Sequence, residues 1–193
     1  LFGYLGYDMI RLVEHLPDVN PDPLGLPDAL MMRPSVVAVL DGVKGEVTVV
    51  APAWVAGGLS ARAAYAQAAE RVMDALRDLD RAPAAARALG DAAPVGEPQS
   101  NFTPEAYRAA VERARAYIRA GDIFQVVPSQ RWAQEFRLPP FALYRSLRRT
   151  NPSPFMFFFN FGGFQVIGAS PEILVRLRDG EVTVRPIAGT RKR

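Results

Sequence analysis

The sequence predicts an α+β protein with layered sheets and packed helices, and three features carry that expectation. Apolar residues recur at helical spacing in two long stretches. Several short runs are rich in β-branched and aromatic residues, and Gly, Pro and Asp clusters separate them. Strands and helices mixed in this order indicate an α+β or layered α/β protein, and no internal repeat is visible.

Residues 1–16 read as a short Gly/Tyr-rich strand followed by an amphipathic stretch of Met9, Ile10, Val13 and Leu16, and the Pro-rich segment from Pro17 to Pro27 reads as loop. Val36 to Leu40 and Val47 to Val50 flank Asp41-Gly42-Val43-Lys44-Gly45, which predicts a β-hairpin. Ser60 is placed to cap a helix in which Tyr65, Ala68, Ala69, Val72, Leu76 and Leu79 form the apolar stripe. From Arg81 to Ser100 the chain turns to Ala, Pro and Gly with little to anchor a core, and is expected to be a linker.

A second helix begins with Thr103 as cap and Pro104 at the first helical position, where its missing N–H costs nothing. Tyr107, Ala110, Val111, Ala114 and Ile118 form its apolar side, Arg108, Glu112, Arg115 and Arg119 the solvated one, and Gly121 stops it after Ala120. Ile123 to Val127 is expected as a strand and Leu143 to Leu147 as a short helix. Phe155 to Phe161 is expected as a strand covered on both faces, turned by Gly162-Gly163 into Phe164 to Ile167. In the last hairpin Ile173, Val175 and Leu177 face a core while Arg176 and Arg178 face water, with Asp179-Gly180 at the turn and Val182 and Val184 returning.

The 193 residues are 49% hydrophobic and 10% aromatic, a composition with which a soluble domain buries roughly two thirds of its unfolded surface. The net charge of +3, from 23 basic and 20 acidic residues, reads as a small excess spread along the chain, so nucleic acid is not the expected partner. The absence of cysteine excludes disulfides, thiolate metal sites and cysteine nucleophiles and fits a reducing, cytoplasmic setting. No apolar run approaches the roughly 18–20 residues of a membrane-spanning helix, so no membrane association is expected. The two ends, Leu1 to Tyr7 and Thr190 to Arg193, read as the edges of a segment of something longer.

Generic catalytic arrangements are nearly absent. His15 has no partner motif or metal-ligand spacing and reads as a surface or helix-end histidine. Gly3, Gly6, Gly57-Gly58 and Gly162-Gly163 match neither a dinucleotide fingerprint nor a phosphate loop, and read as turn and packing glycines. Arg145, Arg148 and Arg149 read as a solvated helix face.

Three segments carry more: Gly121-Asp122-Ile123-Phe124-Gln125-Val126-Val127, Asn151-Pro152-Ser153-Pro154-Phe155-Met156-Phe157, and Gly168-Ala169-Ser170-Pro171-Glu172 leading to Pro186-Ile187-Ala188-Gly189-Thr190-Arg191. In this order, and with the opening Phe2-Gly3-Tyr4-Leu5-Gly6-Tyr7-Asp8, they resemble the chorismate-using enzymes, and within these the large subunit (component I) of anthranilate synthase. The resemblance implies part of a two-domain fold: 1–81 from the N-terminal, regulatory-type domain, 82–102 a linker, and 103–193 the first part of the chorismate-binding domain. It implies a lyase that makes anthranilate and pyruvate from chorismate, with magnesium as cofactor and ammonia supplied by a glutamine amidotransferase subunit.

The resemblance assigns chorismate contacts to the backbone of Gly189 and Thr190. Gln125 and Ala188 are its reaction-choice positions. Isochorismate and salicylate synthases carry lysine at the first, a base that activates water, and aminodeoxychorismate synthases typically carry lysine at the second, an amine that attacks the ring. Both are neutral here, the anthranilate synthase pattern. Pro154, Phe155 and Met156 match the segment that lines the L-tryptophan inhibitor pocket, with Phe155 in place of the more usual tyrosine. The family's catalytic histidine, magnesium-binding glutamates and substrate-gripping Tyr and Arg are expected beyond Arg193, so no catalytic or metal residue is assigned within the chain. Aminodeoxychorismate synthase, favoured by Phe155 and opposed by Ala188, and a non-catalytic tryptophan-binding module are the alternatives.

Overall fold

A computed structural model of the chain describes residues 1–82 and 96–185, which fold as two compact units, Leu1–Ala86 and Arg87–Arg193. Helices and antiparallel strands are mixed in both, as expected for α+β. The strands pair as five separate two-stranded sheets among the described residues.

In the first unit β1 (Phe2–Leu5) pairs with β2 (Ala29–Met32), a strand that the loop-rich sequence before it concealed. Gly3 is required by this pairing, because a Cβ there would overlap the Leu30 carbonyl. A 3-10 helix, Tyr7–Leu12, follows β1. Its Arg11 holds the Pro-rich segment, donating to the Leu16 and Pro17 carbonyls at 3.1 and 2.7 Å while pairing with Asp8 at 2.9 Å. The hairpin of β3 (Val37–Asp41) and β4 (Glu46–Val50) forms where the alternation placed it. The Asp41 carboxylate accepts from the Val43 and Lys44 amides and closes the turn. Helix α1 (Ala61–Leu79) starts at Ser60, whose hydroxyl accepts from the Ala63 amide at 3.2 Å, and lies against β4.

The second unit opens with β5 (Gln99–Ser100), which pairs with β6 (Trp132–Ala133), so the end of the expected linker carries a strand. Helix α2 runs Pro104–Ala120, with Thr103 accepting from the Ala106 amide and Gly121 left-handed at φ 84°. Residues 123–127, expected as a strand, are not one. A strand needs a hydrogen-bonded neighbour, and here the segment instead lies along α2, where Val126 and Pro128 line an open groove with Ala106, Ala110, Ala114 and Tyr117, while Phe124 is fully exposed. Helix α3 (Pro140–Thr150) is longer than expected and covers β7 (Phe155–Asn160) and β8 (Gln165–Ser170), an antiparallel pair in the register Phe155↔Ser170 to Asn160↔Gln165. The hairpin of β9 (Arg176–Arg178) and β10 (Glu181–Thr183) turns at Asp179 and Gly180, both at positive φ.

Burial departs from the composition-based expectation. Among the described residues only Ala64 and Ala68 are buried apolar residues. The last hairpin has no core face, because Val175, Leu177, Val182 and Val184 are all exposed. Strand β7 is half-buried rather than enclosed: α3 covers one face, through Phe158 against Phe141 and Tyr144, and the other carries the stacked rings of Phe157 and Phe159. The physical reason is shared, since a two-stranded ribbon offers two faces and at most one helix is present to cover them.

Close packing on that second face makes a test. A Cβ at Gly168 would overlap the ring of Phe157 across the strand pair, whereas one at Gly163 meets nothing. Gly168→Ala is expected to destabilise the protein by about 1–3 kcal/mol, as overpacking does, and Gly163→Ala by much less. Urea unfolding followed by tryptophan fluorescence measures both, and equal midpoints would contradict the packing.

Candidate functional site

The hairpin β7–β8 brings two of the three motif segments side by side. Asn151 to Phe157 leads into β7 and Gly168 to Glu172 leads out of β8, so Phe155, Met156 and Phe157 lie opposite Ser170, Ala169 and Gly168. Two hydroxyls fasten the join. Ser153 Oγ donates toward the Ser170 carbonyl at 2.9 Å, with the Phe155 carbonyl at 3.2 Å, and Ser170 Oγ donates to the Glu172 carbonyl at 2.9 Å. Sequence reasoning gave Ser153 and Ser170 no role, because a hydroxyl bond across 17 residues leaves no spacing signal.

Alternation along the strand separates residues that the sequence lists together. Met156 falls on the same face as Phe158, the face turned to α3, whereas Phe155 falls on the opposite face with Phe157 and Phe159. Pro154 and Phe155 are exposed and Met156 is half-buried. Met156 and Phe155 therefore point to opposite sides of the strand pair, and Pro154 precedes the strand in a bend.

Gln125 lies in the segment that follows α2 and is exposed. Ala188, Gly189 and Thr190 lie outside the described residues. His15 is exposed in the first unit.

The charge is arranged differently from the even spread expected. From Phe136 to Pro171 there is no acidic residue and there are four arginines, leaving 19 basic against 20 acidic residues elsewhere, so the positive excess sits on α3 and its approach. Arg137 is answered by Glu135, whose carboxyl is held below its ordinary pKa by the hydrogen bond from that guanidinium. Arg145, Arg148 and Arg149 have no ion pair among the described residues.

No group of three or more His, Asp or Glu side chains converges among the described residues. The described residues by themselves therefore do not fit a magnesium site. No helix among the described residues is long and apolar enough to cross a membrane.

Antiparallel strand pairs and helices in two compact units, with two of the three motif segments side by side on β7–β8, match a known class over the whole sequence. The chain belongs to the chorismate binding enzyme family, whose model matches residues 1–193, through both compact units. It is 87% identical over 193 residues to anthranilate synthase component 1 of Cereibacter sphaeroides and 48% identical over 198 residues to that of Pseudomonas aeruginosa, all of this chain being covered in each case. Its fold is similar to the crystal structure of anthranilate synthase component I from Streptococcus pneumoniae, with a TM-score of 0.77 and 37% identity over 93% of this chain and 40% of that one. The chain spans 39% of the length of these two curated relatives.

The hydroxyl clasp generates a prediction. Ser153→Ala removes the bond to the Ser170 carbonyl, and loss of one such hydrogen bond is expected to cost about 1 kcal/mol. Hydrogen exchange should quicken at the β7–β8 amides and stay unchanged in α1; uniform exchange in both proteins would show that the clasp holds nothing.

Proposed function

We propose that the chain is the chorismate-binding segment of an anthranilate synthase large subunit, which converts chorismate and ammonia released from glutamine into anthranilate and pyruvate in tryptophan biosynthesis. The observation that carries this reading is the 87% identity to the Cereibacter sphaeroides protein across all 193 residues. Identity at that level leaves little room for a change of reaction, and the two residues that would mark one are neutral: Gln125 cannot take a proton from water, and Ala188 has no amine to attack the ring.

In this reading 1–81 belong to the regulatory-type domain, 82–102 connect, and 103–193 begin the chorismate-binding domain. The backbone of Gly189 and Thr190 receives a substrate carboxylate, since glycine lets the chain approach closely. Magnesium, the acid–base residues and the remaining carboxylate partners are assigned to sequence that the relatives have outside the matched part. The partners are chorismate, a glutamine amidotransferase subunit and the inhibitor L-tryptophan; neither nucleic acid nor a membrane is one. The absence of cysteine supports a cytoplasmic setting. Phe155 favours aminodeoxychorismate synthase as a second reading, and Ala188 opposes it.

The 193-residue chain is expected to release no anthranilate from chorismate, ammonia and magnesium, while the same protein at the full length of its relatives does so. Product fluorescence follows both. Turnover by the 193 residues above a buffer blank would place the reacting groups inside this chain, and a silent full-length protein would overturn the proposed reaction.

Tryptophan is assigned to the Pro154–Met156 segment. In the full-length enzyme Met156→Ala is expected to raise the inhibitory tryptophan concentration about tenfold, the loss of roughly 1.4 kcal/mol of apolar contact, with the chorismate KM nearly unchanged. Equal inhibition curves would take these residues out of the inhibitor site.

A further inference from the structure

We propose that Ser153 is a positioning residue for the chorismate reaction: its hydroxyl closes the open end of the β7–β8 hairpin and so fixes the point from which the chain continues toward Gly189 and Thr190. The inference rests on the function proposed above, which assigns chorismate contacts to those two residues.

The two ends of this hairpin are fastened by different means. At the turn the chain itself joins the strands, and the Phe161 amide donates to the Phe164 carbonyl at 3.0 Å while Asn160 Oδ1 accepts from the Gly162 amide and from Gln165 Nε2. At the other end the ladder stops at Phe155 opposite Ser170. Its next rung would set Pro154 against Pro171, and neither proline has an N–H to donate. Both prolines follow a serine, and a residue before proline is steered to extended backbone. The strands therefore reach the open end in line, with no rung of the ladder beyond it.

Ser153 Oγ fills that gap. It lies 2.9 Å from the Ser170 carbonyl and 3.2 Å from that of Phe155, so its single hydrogen meets the last paired residue of each strand. Ser170 carries the restraint one step further, since its own hydroxyl donates to the Glu172 carbonyl at 2.9 Å and fixes the chain across Pro171. The entry to β7 is held from the helix side as well, where the Asn151 amide donates to the Leu147 carbonyl at the end of α3. The hydroxyl thus ties the exit of β8 to the entry of β7. Both serines are half-buried, where a hydrogen bond meets less competition from water. Without this bond the ladder frays from the open end, and the chain beyond Glu172 starts from a less defined position. A binding segment that starts so binds more weakly, because ordering it then opposes binding.

The experiment uses the full-length enzyme with ammonia and magnesium and reads anthranilate formation against chorismate concentration. Wild type is compared with Ser153→Ala, with the hydroxyl-keeping Ser153→Thr, and with Thr103→Ala, which removes the α2 cap in the same unit at a similar cost in stability. Ser153→Ala should raise the chorismate KM about fivefold, the factor carried by one hydrogen bond, with kcat within about twofold of wild type. Ser153→Thr should restore KM to within about twofold, and Thr103→Ala should leave it unchanged. An unchanged KM in Ser153→Ala overturns the proposal. So does a lower kcat at unchanged KM, which reports fewer folded molecules, and so does an equal rise in Thr103→Ala, which would make general loosening the cause. A Thr variant as weak as the Ala variant also overturns it, since the hydroxyl would then not be the operative group. Wild type that releases no anthranilate overturns the proposed reaction itself, whereas an active wild type matched by Ser153→Ala overturns only the positioning role.

Discussion

Phe158, seated against Phe141 and Tyr144, is the contact on which the second unit depends. It joins the only helix packed on the β7–β8 hairpin, among the described residues, to the strand pair that carries two of the three motif segments. Aromatic rings stacked edge-to-face bury a large area and also fix orientation. Because α3 is held by that side, Arg145 and Arg149 face outward and the hairpin's other face carries the stacked rings of Phe157 and Phe159.

The same arrangement recurs in the first unit, where α1 lies on β4 and buries Ala64 and Ala68. Each unit thus contains one two-stranded ribbon with a helix on one side, β3–β4 with α1 and β7–β8 with α3. Such ribbons are marginal by themselves in water, and three strands or a packed helix are the usual minimum for stability. Exposed apolar side chains such as Leu40, Phe124, Leu174 and Leu177 follow from that geometry, since the described residues contain too few elements to cover every face.

Within the candidate site, strand alternation reorganises the motifs. Pro154, Phe155 and Met156 read as one group in the sequence, yet the pleat assigns Met156 to the α3 side and Phe155 to the other. Ser153 and Ser170, silent in the sequence, become the clasp that joins the two motifs. Charge behaves alike: a net +3 looks diffuse when counted over 193 residues, and becomes local once the acid-free stretch is seen to contain one helix and one hairpin.

What the sequence determined by itself is whatever rests on neighbours along the chain. Both long helices, with their Ser60 and Thr103 caps and the Gly121 stop, were legible because capping and 3.6-residue periodicity are local. So were the hairpins at Asp41–Gly45 and Asp179–Gly180, where turn residues dictate the fold-back. The family resemblance was legible in the motif segments, and the neutral residues Gln125 and Ala188 could be read only through it. Tertiary structure alone decided the pairing of β1 with β2 across the Pro-rich segment, the failure of 123–127 to find a strand partner, the exposed last hairpin and the Ser153–Ser170 bond. Each depends on which distant segment arrives as a partner, and hydrogen bonding across strands or burial of a face is a property of the pair, which neither segment encodes alone.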